Sequence, residues 1–362
     1  MITAIGQKLR LGVIFGGASS EHEVSVVSAQ HVMAAVDRER FDVVPIGVSK
    51  TGAWLTPEET KAQMGEPSAP YEKTLHIPGA EGLLACAAGL LALSTIDIAF
   101  PLIHGPGGED GTLQGLLELA EVPYVGAGVG ASAVGLDKAL MKALLRDAGL
   151  PVVDYLVVTQ SRWEKEAPAV AAEIEGRLPY PIFVKPANGG SSVGVTKVRS
   201  REDLSDAVGE AFRYDRKLVI EKGIACREIE CAVLGNDEPE ASGLGEIRYQ
   251  GEFYDYAAKY LDSSTELIAP AKVPPDVESR IRQIAVDAFR AIDCAGMARV
   301  DCFLTAQGEV FVDELNTVPG FTPVSMYPRL WQVAGLSYSG LISRLVDLGR
   351  ERFTQRRRFA EA

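Results

Sequence analysis

The sequence predicts an α/β protein whose first third folds as a doubly wound parallel sheet, followed by α+β structure in the remaining two-thirds. In the first third, short apolar stretches alternate with stretches of helical periodicity, and strands separated by helices lie parallel. After residue 136 the pattern changes, with helices between most strands, two strands around a Gly/Ser loop and a β-hairpin near the end. The length of 362 residues indicates two or three domains.

The first third predicts its elements in a regular order. Strands are predicted over residues 9–15, 41–48, 96–102 and 122–125. Helices are predicted over residues 21–36 and 112–120. The proline-rich stretch 54–78 is interpreted as a loop. Ligands of such a sheet bind outside the carboxyl ends of its strands, so the segments after residues 15 and 102 become candidate site loops.

The rest of the chain predicts two further groups of strands and helices. Asp137 is a candidate N-cap for a helix over residues 138–148. A strand follows at 152–158, and two strands surround a Gly/Ser loop at 181–198. A helix at 201–212 and a strand at 217–221 come next. The last third predicts strands near 228–234, a helix near 275–292, a hairpin at 298–316 and two C-terminal helices.

Charge and composition exclude several classes of protein. Basic residues number 36 and acidic residues 49, a formal net charge of −13, so a basic field that could neutralise nucleic-acid phosphates is not expected. We expect no secretory signal, no membrane span and a cytoplasmic protein. The five scattered cysteines contain no CxxC and are interpreted as structural thiols. The arginines at 356–358 are interpreted as a solvated helix end.

The segment RVDCFLTAQGEVFVDELN predicts a hairpin with polar residues on one face. A turn at residues 305–308 would set Leu304 opposite Glu309. The same register would set Arg299 opposite Glu314 and Asp301 opposite Val312.

Side chains alternate along a strand, so one face of this hairpin collects Arg299, Asp301, Glu314 and Asn316. Two carboxylates and an amide oxygen are ligands that Mg²⁺ accepts in proteins. From the hairpin alone, a metal site and a solvated ion-pair patch at a sheet edge are both open, because a register slip of one residue would disperse the cluster.

The segment VKPANGGSSVGV indicates a phosphate-binding loop. Lys185 ends an apolar stretch, and glycines and serines then lead into another strand. Such a loop offers backbone N–H groups and hydroxyls, while Lys185 supplies a point charge. An ordinary hairpin loop is the alternative; a second lysine, Lys138, at the start of a helix favours the phosphate interpretation.

Two loops after strands and one aromatic segment are further candidates. Glu21 follows FGGASS at the mouth of the sheet, where it would receive a cationic amine or simply complement a helix dipole. His104 and Glu109 follow the strand at 96–102, at the same sheet edge. The segment 251–262 alternates aromatic and charged residues and indicates either a loop that closes over a polar site or a surface loop.

Taken in order, these segments resemble the D-alanine–D-alanine ligases of the ATP-grasp superfamily. The matching motifs are GGASSEHEVS, HGPGGEDGTLQG, LDKALMK, FVKPANGGSSVGV, REIECAVLGN, FYDYAAKY, RVDCF and DELNTVPGFTPVSMYP, between Gly16 and Pro328. The resemblance implies a three-domain ATP-grasp architecture, with ATP held between the antiparallel sheets of the second and third domains. Its domains would be an N-terminal substrate-binding α/β domain (1–133), a central ATP-grasp subdomain (134–226) and a C-terminal ATP-grasp subdomain with the metal site and closing loop (227–362).

The resemblance also implies a reaction that contributes to peptidoglycan precursor synthesis. ATP phosphorylates the carboxylate of one D-alanine, and the amine of a second D-alanine attacks the acylphosphate and displaces phosphate. The partners implied are two D-alanine molecules and ATP, with two Mg²⁺ ions that Mn²⁺ can replace. No nucleic-acid or membrane partner is implied, and the family resemblance suggests a homodimer.

Site residues follow from the resemblance, position by position. Asp301, Glu314 and Asn316 match the metal ligands. Groups that bind ATP are matched by Lys138, Lys185, Ser192, Glu221, Ile224, Glu228 and Lys259. Of these, residues 221–224 match the linker that reads adenine, and Glu228 the ribose ligand. Groups that act on the reacting substrates are matched by Glu21, Ser191, Tyr260, Arg299 and the N–H of Gly320. His104 matches a residue that lines the first substrate's pocket, and Ser325 a contact to the second substrate's carboxylate.

Several alternatives remain at this point. Relatives that join D-alanine to D-lactate replace the loop tyrosine or build the loop differently, so Tyr260 favours the dipeptide product. A nicotinamide-dependent dehydrogenase is disfavoured because no GxGxxG follows an early strand. A nucleotide-binding module without enzymatic activity is the third alternative.

Overall fold

The computed structural model describes residues 8–65, 91–249 and 265–360. The first group of elements is β1 (Leu9–Gly16), α1 (His22–Ala35), β2 (Phe41–Val48), α2 (Pro57–Gln63), β3 (Ile98–Pro101), α3 (Thr112–Leu119) and α4 (Val129–Leu136). The second is α5 (Lys138–Asp147), β4 (Tyr155–Thr159), α6 (Gln160–Arg177), β5 (Ile182–Pro186), β6 (Thr196–Val198), α7 (Arg201–Ala211) and β7 (Lys217–Lys222). The third is β8 (Cys226–Gly235), β9 (Glu240–Arg248), β10 (Glu266–Ile268), α8 (Pro275–Ala291), β11 (Gly296–Thr305), β12 (Val310–Asn316), α9 (Met326–Val333) and α10 (Tyr338–Ala360).

The N-terminal strands form the predicted parallel sheet, in the order β2-β1-β3. Because β1 lies between its two successors, the chain winds outward in both directions, as a doubly wound sheet requires. Both faces of β1 are buried, as parallel strands covered by helices should be. Gly16 and Gly17 follow with positive φ angles of 96° and 94°, which turn the chain sharply at the carboxyl edge of the sheet.

The prediction that residues 54–78 form a loop is wrong for α2. Thr56 caps this helix by accepting a hydrogen bond from the N–H of Glu59, whose side chain in turn accepts from the N–H of Thr56. Pro57 occupies the first helical position, where its missing N–H costs nothing. The prolines of this stretch suggested a loop, but Pro57 begins a helix. Residues 66–78 lie outside the described residues.

The two other sheets are antiparallel throughout, as predicted. One has four strands in the order β4-β7-β5-β6, and the other has five in the order β10-β9-β8-β11-β12. Two short strand predictions were inaccurate. Residues 122–125 form only a parallel bridge between Tyr124 and Ala99, and β4 begins at Tyr155 rather than at residue 152.

Apolar packing joins the parallel sheet to the C-terminal part of the chain. One continuous core contains Phe15 and Phe100 of the parallel sheet together with Met297 of β11, Phe321 and Leu341. Burial of this kind contributes about 25 cal/mol for each Å² of apolar surface removed from water. The loops at the edge of the parallel sheet are thereby held against the end of β12.

The C-terminal helix packs on the N-terminal part of the chain, and its last turns are exposed. The guanidinium of Arg352 lies 4.1 Å from the ring centroid of Tyr124. Arg356 forms an ion pair with Glu118, and Arg357 pairs with Glu121 at 3.1 Å. Arg356 and Arg357 remain exposed, so the interpretation of the arginines as a solvated helix end is confirmed, with ion pairs added at the surface.

The described cysteines are free thiols. Cys231, Cys294 and Cys302 are buried, and Cys226 is exposed. Burial raises the pKa of Cys231 and of Cys294 to about 12, so these thiols stay protonated near neutral pH. This agrees with a structural role for the buried thiols. Among the described residues, no helix is long and apolar enough to cross a membrane.

Candidate active site

Two adjoining cavities lie where the three sheets meet. The larger, about 660 Å³, lies between the two antiparallel sheets and is lined by residues of β5, β7, β8, β11 and β12. The smaller, about 220 Å³, lies between the loops that follow β1 and β3 and the loop that follows β12. Lys138, Arg299, Glu314 and residues 189–191 line both cavities. The two cavities therefore meet at a group of charged side chains.

The hairpin of β11 and β12 differs from the predicted register at its turn. Leu304 pairs with Val310, not with Glu309. The N–H of Thr305 donates to the carbonyl of Glu309, so Glu309 closes the turn instead of entering the ladder of paired strands. The predicted turn was one residue too short.

Further along the hairpin the difference grows to two residues. Asp301 pairs with Glu314 rather than with Val312, and Arg299 pairs with Asn316 rather than with Glu314. A shift of two residues preserves which face each side chain occupies. Accordingly, Arg299 and Glu314 line both cavities, Asp301 lines the larger and Asn316 the smaller.

The second part of the shift comes from a β-bulge, in which Asp313 is the extra residue. Strict alternation would turn Asp313 away from Glu314, but the bulge interrupts the alternation, and both residues line the larger cavity. Asp313 Oδ1 lies 3.2 Å from Lys185 Nζ and 3.6 Å from Lys142 Nζ. Burial alone would raise the pKa of Asp313, but the two lysines outweigh it and lower the pKa to about 2.

A buried charge network lies beneath the larger cavity. Lys142 is fully buried, and its Nζ lies 2.6 Å from Glu221 Oε1. Lys185 Nζ lies 2.5 Å from the other oxygen, Glu221 Oε2. Burial would lower the pKa of Lys185, but Asp313 and Glu221 outweigh it and raise the pKa above the ordinary value. Two lysines and two carboxylates therefore balance each other beside the larger cavity.

Arg299 is held by two carboxylates. Its Nε and Nη2 donate to the two oxygens of Asp301, both at 2.7 Å. Its Nε also lies 3.1 Å from Glu230 Oε1. Burial would lower the pKa of Arg299, but Asp301 and Glu230 raise it well above the ordinary value. The guanidinium is therefore a permanent positive charge at the junction of the cavities.

The predicted metal ligands offer oxygen atoms that suit a hard cation. Asn316 Oδ1 is buried and has no hydrogen-bond partner among the described residues. A buried carbonyl oxygen without a donor is costly, so a cation at this position would satisfy it. Asp301 and Glu314 face each other across the hairpin on the same side. In the described part of the chain, no group of three His, Cys, Asp or Glu side chains could hold a metal; here the third oxygen would come from an amide.

The Gly/Ser loop between β5 and β6 is held at its base and at its tip. At the base, Asp215 accepts hydrogen bonds from the backbone N–H and side-chain amide of Asn188, at 2.8 and 2.9 Å. At the tip, Lys138 Nζ donates to the carbonyl of Gly189 at 2.7 Å. Ser191 and Ser192 have positive φ angles of 51° and 56°, a conformation that non-glycine residues seldom adopt. Both serines line the larger cavity.

The linker between β7 and β8 borders the larger cavity. Glu221, Ile224 and Glu228, the predicted adenine and ribose residues, all line it. The Glu221 side chain is bound by the two lysines described above. Glu228 Oε1 accepts a hydrogen bond from the hydroxyl of Tyr249 at 2.8 Å.

The smaller cavity brings together the predicted substrate residues. Glu21, His104, Arg299, Gly320 and Ser325 all line it. Ser191 Oγ donates to Glu21 Oε1 at 2.6 Å, and joins the Gly/Ser loop to the start of α1. The hydroxyl of Ser325 lies 2.8 Å from that of Thr322.

Glu109 is a buried carboxyl at the edge of the same cavity. It accepts hydrogen bonds from the backbone N–H groups of Gly105, at 2.7 Å, and Val318, at 3.2 Å. Burial and the nearby charge of Glu21 raise the pKa of Glu109 to about 8, against the opposing effect of the two N–H donors.

Sequence reasoning missed two residues of the site, Lys142 and Asp313. Lys142 lies one helical turn after Lys138 on the same helix face, a spacing that could have indicated it. Asp313 was missed because alternation without a bulge turns it away. Lys259 and Tyr260 lie outside the described residues.

Comparison with known proteins matches both parts of the chain to one family. Residues 10–127 match the model of the D-ala D-ala ligase N-terminus, and residues 144–347 match that of the C-terminus. D-alanine–D-alanine ligase A of Chromobacterium violaceum is 51% identical over 354 residues, which cover 95% of this chain and 96% of that protein. D-alanine–D-alanine ligase of Geobacillus thermodenitrificans is 49% identical over 358 residues, which cover 96% of this chain and 97% of that protein.

Solved structures of ligases are also similar to this chain over nearly its whole length. A D-alanine-D-alanine ligase from Coxiella burnetii superposes with a TM-score of 0.81 at 34% identity, covering 98% of this chain and 97% of that one. A D-Ala:D-Ser ligase from Enterococcus faecalis gives a TM-score of 0.78 at 34% identity, covering 95% of this chain and 100% of that one.

Two antiparallel sheets around a lysine-lined cavity, beside a parallel-sheet domain, define an ATP-dependent enzyme of the ATP-grasp class. The predicted α/β fold class is thereby confirmed. Within that class, the chain belongs to the D-alanine–D-alanine ligase family.

Proposed function

We propose that this ligase joins two D-alanine molecules to D-alanyl-D-alanine with ATP as the phosphoryl donor, for peptidoglycan precursor synthesis. The observation that carries the proposal is the meeting of the two cavities at Lys138, Arg299 and Glu314. A terminal phosphate in the larger cavity and a carboxylate in the smaller can approach each other there. Both are anions, so the cations at the junction reduce their repulsion.

The reaction has two chemical steps. A carboxylate oxygen of the first D-alanine attacks the γ-phosphorus of ATP, and ADP leaves with the electrons of the broken P–O bond. The amine of the second D-alanine then attacks the acylphosphate carbonyl, loses a proton, and the tetrahedral intermediate expels phosphate. The acylphosphate hydrolyses readily, so the site must exclude water while it exists.

The larger cavity is assigned to ATP. Lys138, Lys185 and Ser192 would contact the phosphates, together with Lys259 from outside the described residues. The linker of Glu221 and Ile224 would bind adenine and Glu228 the ribose, which the lining of the cavity supports. Because Lys142 and Lys185 share the charge of Glu221, the linker carboxylate is held in one position before the base arrives.

Asp301, Glu314 and Asn316 would hold the divalent cations, which we propose to be two Mg²⁺ ions that Mn²⁺ can replace. The metals supply positive charge that offsets the charge of the transferring phosphoryl group. In the structure Arg299 occupies both oxygens of Asp301. Each carboxylate oxygen has a second lone pair, so Asp301 can bind a cation while it accepts from Arg299.

The smaller cavity is assigned to the two D-alanine molecules. Glu21 would receive the amine of the first, and its hydrogen bond with Ser191 supports this because the bond fixes the carboxylate at the cavity wall. Tyr260 would extend this chain, and His104 would line the pocket. Ser325 would contact the second carboxylate. Arg299 and the N–H of Gly320 would stabilise the oxyanion, where each such donor is worth about 3–4 kcal/mol.

The test supplies the purified protein with ATP, Mg²⁺ and equal concentrations of D-alanine and D-lactate at pH 7. We expect ADP release that depends on D-alanine, and a dipeptide as the main product by mass spectrometry. L-alanine is the matched control and should support no ADP release. A majority of the D-alanyl-D-lactate depsipeptide would assign the protein to the alternative reaction. ADP release that ignores D-alanine would contradict both.

Family resemblance further supports a homodimer in the cytoplasm. Sedimentation velocity checks the assembly, with one species at twice the 38.8 kDa chain mass as the expected result. A monomer at micromolar concentration would contradict the homodimer and leave the proposed reaction unaffected.

A further inference from the structure

Two buried side chains of the loop after β3 hold the backbone of Val318 at both of its hydrogen-bonding groups. The Nδ1 of His104 lies 2.9 Å from the carbonyl oxygen of Val318. The Oε1 of Glu109 accepts the N–H of Val318 at 3.2 Å. His104 and Glu109 are 4% and 8% exposed, so water competes little for these bonds. More than 200 residues separate Val318 from both partners along the chain.

The carbonyl of Val318 determines which ring nitrogen of His104 carries the proton. A carbonyl oxygen can only accept, so the Nδ1 of His104 carries the proton. The Nε2 of His104 is buried and has no hydrogen-bond partner among the described residues. Burial lowers the pKa of His104, which favours the neutral ring. His104 is therefore a neutral donor aimed at the backbone, and its ring also lines the smaller cavity.

The held residue lies in the middle of the segment that carries the proposed chemistry. Asn316, a predicted metal ligand, lies two residues before Val318, and Gly320, whose N–H is the predicted oxyanion donor, lies two residues after it. Pro319 between them has a fixed φ angle, which leaves rotation about its ψ angle as the main freedom between the held carbonyl and the N–H of Gly320.

The other side of Gly320 is anchored as well. Phe321 is fully buried and packs edge-on against Phe100, with ring centroids 5.5 Å apart. The hydroxyl of Tyr338 donates to the carbonyl of Phe321 at 2.5 Å. Gly320 is therefore fixed on both sides. Hydrogen bonds hold Val318 before it, and ring packing with a hydrogen bond from Tyr338 holds Phe321 after it.

We infer that His104 and Glu109 are positioning residues for acyl transfer, which hold Val318 and thereby aim the N–H of Gly320 at the developing oxyanion. This inference rests on the proposed function. An oxyanion donor acts only over a narrow range of distance, and a displacement of about 1 Å can cost about 100-fold in rate. The backbone on its own would not hold that position, because no strand or helix of the described residues pairs with Val318.

A misaligned N–H has a specific chemical consequence. The amine of the second D-alanine attacks more slowly, so the acylphosphate persists for longer. Water then adds to its carbonyl, and D-alanine and phosphate are released without a peptide bond. The ratio of ADP to dipeptide rises above one, a change that simple loss of folded protein does not cause.

The test compares His104→Phe with His104→Asn. Phenylalanine fills the volume but cannot donate, whereas the side-chain amide of asparagine places a donor near the position of Nδ1. For His104→Phe we expect kcat to fall about 10- to 100-fold, KM for ATP to stay within about two-fold, and the ratio of ADP to dipeptide to rise. We expect His104→Asn to recover most of the rate.

Glu109 is tested in the same assay against its neighbour in the chain. Glu109→Leu should reproduce the loss in kcat and the raised ADP ratio. Asp110→Asn is the matched control, because among the described residues Asp110 accepts hydrogen bonds from its close chain neighbours Gly107 and Thr112 and not from Val318. It should retain the wild-type ratio of ADP to dipeptide.

Three outcomes would overturn the inference while the wild-type enzyme forms dipeptide. The first is that His104→Asn is as slow as His104→Phe, which would assign the role to Nε2 and the substrate. The second is an unchanged ADP ratio in His104→Phe. The third is unchanged amide hydrogen exchange of residues 317–325 in His104→Phe, a measurement that needs no activity. We expect these residues to exchange faster in the variant and the four-stranded sheet to exchange at the wild-type rate. Absence of D-alanine-dependent ADP in the wild type would instead refute the proposed function.

Discussion

Ser191 and Glu21 are joined by a 2.6 Å hydrogen bond although 170 residues separate them in sequence. The bond connects the Gly/Ser loop of the four-stranded sheet to the start of the first helix of the parallel sheet. It closes one wall of the smaller cavity next to the proposed phosphate-binding loop. A single contact therefore couples the proposed phosphate site to the proposed substrate amine site.

Ser191→Ala should weaken binding of the first D-alanine. The change removes a hydrogen bond to a carboxylate, a class of bond worth about 1.5–3 kcal/mol. We expect kcat/KM for D-alanine to fall about 10- to 100-fold, measured by ADP release at saturating ATP. Ser200→Ala, at an exposed hydroxyl before α7, is the control and should behave as wild type. Equal kinetics for Ser191→Ala and Ser200→Ala would contradict the role of Ser191.

Glu314→Gln should reduce turnover about 100-fold without loss of the fold, because it replaces an anionic metal ligand with a neutral amide. Rates are measured across a titration of Mg²⁺, with circular dichroism to follow the fold. Glu309→Gln is the matched control, since Glu309 is exposed at the turn of the same hairpin. An unchanged Mg²⁺ dependence in Glu314→Gln would refute the metal assignment.

Tyr260→Phe should raise the share of D-lactate in the product several-fold, since the change removes a hydroxyl predicted to extend the Glu21–Ser191 chain. The product ratio is measured by mass spectrometry from equimolar D-alanine and D-lactate. Tyr180→Phe, at a tyrosine that lines neither cavity, is the control. A product ratio identical to wild type would show that the Tyr260 hydroxyl does not influence the choice between D-alanine and D-lactate.

Lys142→Met should destabilise the fold by about 3–5 kcal/mol, because it leaves the carboxylates of Glu221 and Asp313 with one compensating lysine too few. Urea denaturation gives the free energy of unfolding. Adding Asp313→Asn restores the balance of one lysine and one carboxylate, so the double variant should be more stable than Lys142→Met alone. Simple additivity of the two changes would show that the network is not coupled.

Glu109→Gln should alter the pH dependence of stability. The folded protein holds the proton of Glu109 up to a pKa of about 8, far above the ordinary value of 4.5. The folded state therefore binds more protons than the unfolded state between these values, and wild type loses stability as pH rises through that range. Glutamine cannot titrate. The free energy of unfolding of the variant, relative to that of wild type, should therefore rise by on the order of 1–3 kcal/mol between pH 5 and pH 8. Parallel stability curves would contradict the raised pKa.

The sequence predicted what depends on local pattern. Alternating apolar and helical stretches predicted the parallel sheet, and the N-cap at Asp137 was confirmed by its hydrogen bonds to the N–H groups of Ala139 and Leu140. Motif residues indicated which segments meet, and Glu21, Ser191, Arg299 and Glu314 do lie together.

The sequence did not predict what depends on contacts distant along the chain. The bulge at Asp313 changes the pairing by one residue, and no propensity marks it. The burial of Lys142 depends on Glu221, which reaches it from another element. The ion pairs of Arg356 and Arg357 with Glu118 and Glu121 depend on how the last helix packs on the first sheet.

The most direct test of the central claim follows one oxygen atom. D-alanine labelled with ¹⁸O in both carboxylate oxygens is incubated with ATP, Mg²⁺ and the enzyme, and the released phosphate is examined by mass spectrometry. Attack of the carboxylate on the γ-phosphorus places a labelled oxygen in the bridge of the acylphosphate. We predict one ¹⁸O in each phosphate formed with the dipeptide. Dipeptide accompanied by unlabelled phosphate would contradict an acylphosphate intermediate and the account of the site built on it.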